Sequence, residues 1–168
     1  MKRLTFLILA LLLVLPLSAW YAPSFTVGCG VNTLILDNEA YQSVKTGLEL
    51  GLVGIKIECF TLSVPLTIAH VTKSQENRGL LSPSFFKASI GIEGLVEYER
   101  VGASIAVYYG YEDYTDAKAV MLYLEGRIAA HYRISKYFSL MVPVSYTYTP
   151  EGNEVSVSLA VRIGGDLL

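Results

Sequence analysis

The side chains of this chain that could do chemistry occupy every second position of its apolar runs. Between Val120 and Tyr132 the even positions are apolar or small, and the charged groups fall on odd positions. Successive side chains on a β-strand point to opposite faces, so the charged groups of such a run share one face. In a confined interior an unpaired charge is costly, and a neighbour of opposite charge compensates it. The best candidates for an interior ion-pair network are Glu49, Glu93, Glu125, Arg127 and Arg162.

A different set of residues contains the groups of a Ser–His–Asp site: His70, Ser74, Ser82, Ser84, Asp113 and Asp116. Nucleophilic catalysis needs such groups within hydrogen-bond reach of one another, and no spacing in the sequence enforces this. Because the chain has only two histidines and many serines, chance explains the set, and we expect no enzyme activity. Neither histidine has a partner at metal-ligand spacing, and Cys29 and Cys59 stand alone, so we expect no metal and no cofactor.

The first residues of the chain are typical of an export signal. Lys2 and Arg3 precede an apolar stretch to Leu17, and Ser18 and Ala19 are small enough for cleavage. We therefore predict a cleaved secretory signal over residues 1–19 and a single domain over residues 20–168. The signal holds two of the 13 basic residues and none of the 15 acidic ones, which leaves 11 − 15 = −4 for the remainder. That mild acidity, with no basic cluster, argues against a nucleic-acid partner.

The remainder of the chain predicts strands and no helix. Period-two alternation gives eight strands, at residues 25–36, 44–53, 59–69, 85–97, 102–111, 119–132, 137–148 and 155–164. Polar connections at 37–43, 70–84, 112–118 and 149–154 alternate with mostly shorter ones at 54–58, 98–101 and 133–136. Membrane barrels show this asymmetry, with short turns on one side and longer loops on the other.

Aromatic residues collect near both ends of the predicted strands, around a middle that is aliphatic or small. Amphipathic rings favour a membrane interface, so two such rows around an aliphatic band indicate a transmembrane barrel. The members of the two predicted girdles are Phe60, Tyr98, Tyr132 and Phe138 at one end and Tyr109, Tyr111, Tyr146 and Tyr148 at the other.

One hairpin recurs along the chain. The segment FTLSVPLTI from Phe60 matches FSLMVPVSY from Phe138, an offset of 138 − 60 = 78 residues. Duplication of a half-barrel explains the match, and convergence of similar hairpins explains it equally well. Proline removes one ladder hydrogen bond, so Pro65 and Pro143 predict bulges or bends.

The signal, the eight alternating strands and the paired girdles resemble the small outer-membrane barrels of the OmpA/OmpX type and the general outer-membrane β-barrel families. The resemblance covers residues 20–168 and implies an all-β fold, an eight-stranded antiparallel up-and-down transmembrane barrel. It also implies a place in the outer membrane, with membrane lipid and the barrel-assembly machinery as partners. The chain departs from this pattern at its end, Gly164 to Leu168, where such proteins usually carry an aromatic residue.

Three functions fit these observations. An eight-stranded interior is about filled by side chains, which favours a structural or surface-interaction barrel that meets an unknown extracellular ligand through its outer loops. A narrow porin-like channel for small or apolar solutes is the first alternative. The second is a soluble periplasmic β-sandwich or lipocalin-like carrier, in which the apolar rows would face inward.

Overall fold

The computed structural model describes residues 20–21, 23–36, 39–73, 84–114, 119–150 and 152–164. The predicted signal at residues 1–19 lies outside these ranges, as do Ser74, Ser82, Asp116 and the last four residues. The strands are β1 (Trp20–Tyr21), β2 (Ser24–Leu36), β3 (Glu39–Ile57), β4 (Phe60–Lys73), β5 (Phe85–Tyr98), β6 (Val101–Tyr114), β7 (Ala119–Arg133), β8 (Phe138–Tyr148) and β9 (Asn153–Gly164). In the described residues no helix is long and apolar enough to cross a membrane.

The strands form one closed antiparallel barrel. Each strand from β2 to β9 pairs with its neighbours in the chain, and β9 returns to pair with β2. The short β1 continues the register of β2 against β3, because Trp20 pairs with Ile55 and Ser24 with Gly51. The two segments therefore act as one interrupted strand, and the prediction of an eight-stranded up-and-down barrel is confirmed.

Four strands, β3, β4, β6 and β9, extend beyond the sequence prediction at the end where the polar connections lie, which we call the outer end. The predicted connection at 37–43 is wrong, since β3 begins at Glu39 and pairs with β2 from Glu39 to Gly51. His70 and Glu112, assigned to connections, lie within β4 and β6. The polar side chains at these positions suggested loops, but the backbone groups of these residues continue the hydrogen-bond ladder between the strands. At the other, inner end, the turns are short, at residues 58–59, 99–100 and 134–137.

The apolar rows face outward and the polar rows face inward. Along β5 buried and exposed residues alternate, with Ile90 and Ile92 on the exposed outer wall and Lys87 and Glu93 in the buried interior. The same alternation leaves large aliphatic side chains more than half exposed on other strands, such as Ile105 at 65%. The sandwich or lipocalin-like alternative requires the opposite orientation and is wrong.

The two repeated hairpins share a register. Gly51 pairs with Pro65, and Ala129 pairs with Pro143, positions that differ by the same 78 residues. Beyond Pro65 the β3–β4 register shifts, so that β3 carries a bulge between Gly51 and Val53. At Pro143 no shift occurs, although the β8–β9 ladder omits this residue, which has no N–H to donate. The predicted bulge therefore occurs at one proline only, and it lies on the facing strand.

Candidate functional site

Four charged side chains meet inside the barrel, and we call them the inner ring: Glu49, Glu93, Arg127 and Arg162. The Arg162 guanidinium lies 3.1 Å from Glu49 and 2.7 Å from Glu93. Arg127 bridges the same two carboxylates, at 2.6 Å and 3.3 Å. Each arginine therefore contacts both glutamates, and the four charges cancel. Mutual pairing of this kind compensates the loss of water around buried ions.

Strand geometry explains why these four residues meet. They lie on β3, β5, β7 and β9, which are alternate strands of the barrel. In a barrel with tilted strands, inward side chains at one level come from alternate strands. Residues separated by up to 113 positions in the chain, Glu49 and Arg162, consequently form a hydrogen bond across the lumen.

Neutral groups complete the inner ring. The Tyr108 hydroxyl donates to Glu49 at 2.9 Å, and the Arg127 guanidinium lies 4.6 Å from the centre of the Tyr108 ring. Ser63 donates to Glu93 at 3.4 Å. Gly91 pairs with Tyr108 across β5 and β6, and a Cβ at Gly91 would meet the Tyr108 ring at 2.6 Å. The glycine therefore leaves the space in which the tyrosine ring lies.

Glu125, the fifth predicted member, belongs to a different contact. It accepts from Lys45 at 3.3 Å and from Thr147 at 3.2 Å. Between this pair and the inner ring lies a cavity of about 70 Å³, lined in part by Thr26, Lys45 and Ser145. A cavity of this volume, with charged and hydroxyl groups in its wall, has room for ordered water.

A second charged group lies nearer the outer end and consists of Lys87, Glu112 and Glu154; we call it the outer cluster. Lys87 lies 2.7 Å from Glu112 and also forms a salt bridge and hydrogen bond with Glu154. The rings of Phe85 and Tyr123 lie 5.5 Å and 4.9 Å from its ammonium group. All three members of the outer cluster are almost completely buried. Together, inner ring and outer cluster occupy two levels of the lumen.

Sequence reasoning missed the outer cluster because it ended the strands too early. Glu112 and Glu154 were assigned to connections, yet each continues the inward alternation of its strand. Extending the period-two pattern from Ser104 and Tyr108 to Glu112 would have placed that carboxylate inside. No feature of the sequence indicated that Lys45, rather than an arginine, pairs with Glu125.

The histidines lie on opposite faces of the wall. His131 is buried and forms a 2.8 Å hydrogen bond with Ser104. His70 lies on the outer wall, with its ring centre 4.6 Å from that of Phe86. Asp113 pairs with Phe86, which places this phenylalanine between the histidine and the aspartate in the sheet. No group of three or more His, Cys, Asp or Glu side chains in the described ranges could hold a metal ion.

All eight predicted girdle residues point outward, with exposed fractions from 41% to 76%. Four lie near the inner turns: Phe60, Tyr98, Tyr132 and Phe138. Tyr109, Tyr111, Tyr146 and Tyr148 lie towards the outer end of β6 and β8. Contact of these rings with a membrane interface stays a prediction.

A closed eight-stranded antiparallel barrel with a charged lumen and an apolar outer wall is the fold of the small outer-membrane β-barrels. The structure is similar to that of Neisserial surface protein A, NspA, with 13% sequence identity and a TM-score of 0.56 over 86% of this chain and 98% of that one.

It is also similar to Ail, the attachment invasion locus protein of Yersinia pestis, solved in complex with the heparin analogue sucrose octasulfate. This match has 11% identity and a TM-score of 0.59 over 85% of this chain and 99% of that one. Identities this low show a shared fold. No protein-family model matches the chain, and no curated protein matches it either.

The inner ring should contribute strongly to stability. Arg162→Met leaves two buried carboxylates with one arginine, and we expect a loss of about 3–5 kcal/mol in the free energy of unfolding. Urea unfolding, followed through the folded band of an unboiled gel, measures it. Arg133→Met is the control, because the partly exposed Arg133–Glu97 pair should contribute less than about 1 kcal/mol. Equal losses in the two variants would contradict a special role of the ring.

Gly91 should be required for the position of Tyr108. Gly91→Ala forces the ring away from Glu49, and we expect it to lower the free energy of unfolding by about 1–3 kcal/mol. Gly126→Ala is the matched control, since a Cβ there meets nothing within 4 Å. We expect that control to stay within about 0.5 kcal/mol of the parent protein in the same urea titration. A tolerated alanine at Gly91 would show that the tyrosine position is not fixed by this contact.

Proposed function

We propose that the chain is an integral outer-membrane protein whose barrel serves as a rigid scaffold for an interaction at its outer end. The observation that carries the membrane placement is the outer wall, where every strand from β2 to β9 exposes large apolar side chains. The largest contiguous apolar patch on a typical soluble monomer has an area of only about 300–600 Å². Acyl chains are the environment that suits such a wall.

The dimensions of the wall fit a bilayer. Phe60 follows an inner turn, and His70 lies ten residues further along β4. Ten residues of a strand tilted by about 40° rise roughly 25 Å, the height of the apolar band in membrane barrels. The aromatic rows then fall at the two interfaces, where amphipathic rings are favoured.

The filled lumen supports a scaffold rather than a pore. The inner ring spans the interior between alternate strands, and the outer cluster occupies a second level. An ion that crossed the barrel would have to displace both sets of buried salt bridges. Function is then left to the outer end, where the connection between Lys73 and Phe85 has eleven residues and is the longest between the strands. We therefore assign to the outer end the function of binding a partner.

A narrow channel is the second candidate, and the cavity beside Lys45 and Glu125 favours it, since it shows that the lumen is not completely packed. Planar-bilayer recordings separate the two functions. We expect no steady single-channel steps from the folded protein, whereas a large porin in the same bilayers should give them. Reproducible current steps whose size depends on salt concentration would contradict the scaffold function and support the channel function.

Arginine substitutions on the outer wall test the membrane placement. Val107 and Val101 are both outward and more than half exposed, but Val107 lies mid-strand and Val101 at the inner end of β6. In a bilayer, Val107→Arg should lower the free energy of unfolding by about 2–4 kcal/mol and Val101→Arg by at most about 1 kcal/mol. Urea titration of the protein folded into vesicles measures both. In a soluble protein the two exposed substitutions would be nearly neutral, and that result would refute the proposal.

A further inference from the structure

A groove of about 560 Å³ runs across the outer wall over five adjacent strands, β9, β2, β3, β4 and β5. Two rows of outward side chains form its walls. The row nearer the outer end consists of Leu159, Cys29, Thr46, His70 and Phe86, each paired with the next across the sheet. The other row consists of Val161, Val27, Leu48 and Ile68.

Side-chain size explains why the wall is concave here. Between the two rows lie Ala160, Gly28, Gly47 and Ala69, which are also paired in this order. Their side chains, where present, point into the lumen, so the floor of the groove is backbone. Cys29 and Thr46, in the row nearer the outer end, are short. A Cβ at Gly28 would likewise point into the lumen, where it would meet that of Ala160 at 3.0 Å.

The groove slopes from the outer interface into the apolar band. It follows the hydrogen-bonding direction, which is inclined to the membrane plane because the strands are tilted by about 35–45°. Phe86 is the second residue from the outer end of β5, whereas Val161 lies near the inner end of β9. Four strand spacings of about 4.8 Å give a length of about 19 Å, close to that of a long acyl chain.

The polar groups of the groove lie at its upper end. The Thr46 hydroxyl donates to the backbone carbonyl of His70 at 3.4 Å, so this hydroxyl is already used. The His70 ring contacts Phe86, and among the described residues its ring nitrogens have no hydrogen-bond partner. A histidine at this depth faces the headgroup region, where phosphate and ester oxygens accept hydrogen bonds.

We propose that this groove binds one phospholipid, with an acyl chain on the Gly28–Gly47 floor and the headgroup at His70. The inference rests on the membrane placement proposed above. A second copy of the chain fits less well, because a two-fold contact brings the same patch of each copy together. Two concave patches placed face to face leave an empty space where a stable interface needs close packing. A flexible chain fills the groove without this mismatch.

Native mass spectrometry tests the proposal. The full chain is folded into vesicles of phosphatidylethanolamine and phosphatidylglycerol, extracted in a mild detergent, and examined for retained lipid. Thr46→Phe and Cys29→Phe fill the groove from its outward side, and Ile105→Phe adds the same ring on β6, outside the groove. An unboiled gel of each sample first establishes that the variant is folded.

We expect one retained phospholipid on the parent protein and on Ile105→Phe. In both groove variants the lipid-bound fraction should fall about tenfold, as a modest loss of binding free energy would produce. His70→Phe should keep the chain contact but lose the preference for phospholipid over diacylglycerol in a competition.

Four results would overturn the inference. These are folded groove variants that retain lipid as the parent does, a parent protein without lipid, a bound mass equal to a second copy, and an unchanged headgroup preference in His70→Phe. All four leave the membrane placement intact if the protein folds into the vesicles. Failure to enter vesicles, with solubility in buffer, would instead remove the proposed function and the groove inference together.

Discussion

Closure of the sheet by the pairing of β2 with β9 is the constraint on which the rest of the structure depends. From Ser24 to Ile35 the first long strand pairs with the last, so the residues that the structure describes leave no long unpaired edge in the barrel. In an apolar medium an unpaired N–H or carbonyl costs several kcal/mol (about 2–7). Once the backbone is satisfied, the side chains are free to be apolar on the outside. The inverted distribution of polarity in this chain follows from that closure.

The inner ring fills an interior that closure of the barrel leaves without an apolar core. A small cylinder whose outer face takes the apolar residues has too little apolar interior to form a conventional core, and the buried apolar cluster around Met141 consists of three residues. Arginine suits this polar interior because its planar guanidinium group can contact two carboxylates at once, as both Arg127 and Arg162 do. Paired charges here hold the wall from within, as aliphatic packing does in a soluble domain.

The sequence revealed the faces of the strands more reliably than the contacts between them. Period two placed Glu49, Glu93, Arg127 and Arg162 inside, because alternation is local and needs no tertiary information. Which charges meet depends on the stagger of the closed barrel, so the partner of Glu125 was not predictable. The outer end of β6, at Glu112, was missed for a different reason. The sequence alone does not distinguish a charged residue that faces the barrel interior from a charged residue in a loop. The outer groove depends on which strands are adjacent, and only the fold supplies the row that joins Gly28 to Gly47.

The bulge opposite Pro65 has a consequence for assembly of the chain. Two hairpins with the same register and similar sequences could exchange strands, with β7 taking the place of β3 beside β4. The bulge makes β3 and β7 different, because the inward residues of β3 change from odd to even positions there, Gly51 and Gly54 both being buried. Those of β7 stay at odd positions as far as His131, and its pairing with β8 has no shift. An exchanged β7 would therefore not reproduce the register shift between β3 and β4, so the bulge distinguishes one copy of the repeated hairpin from the other.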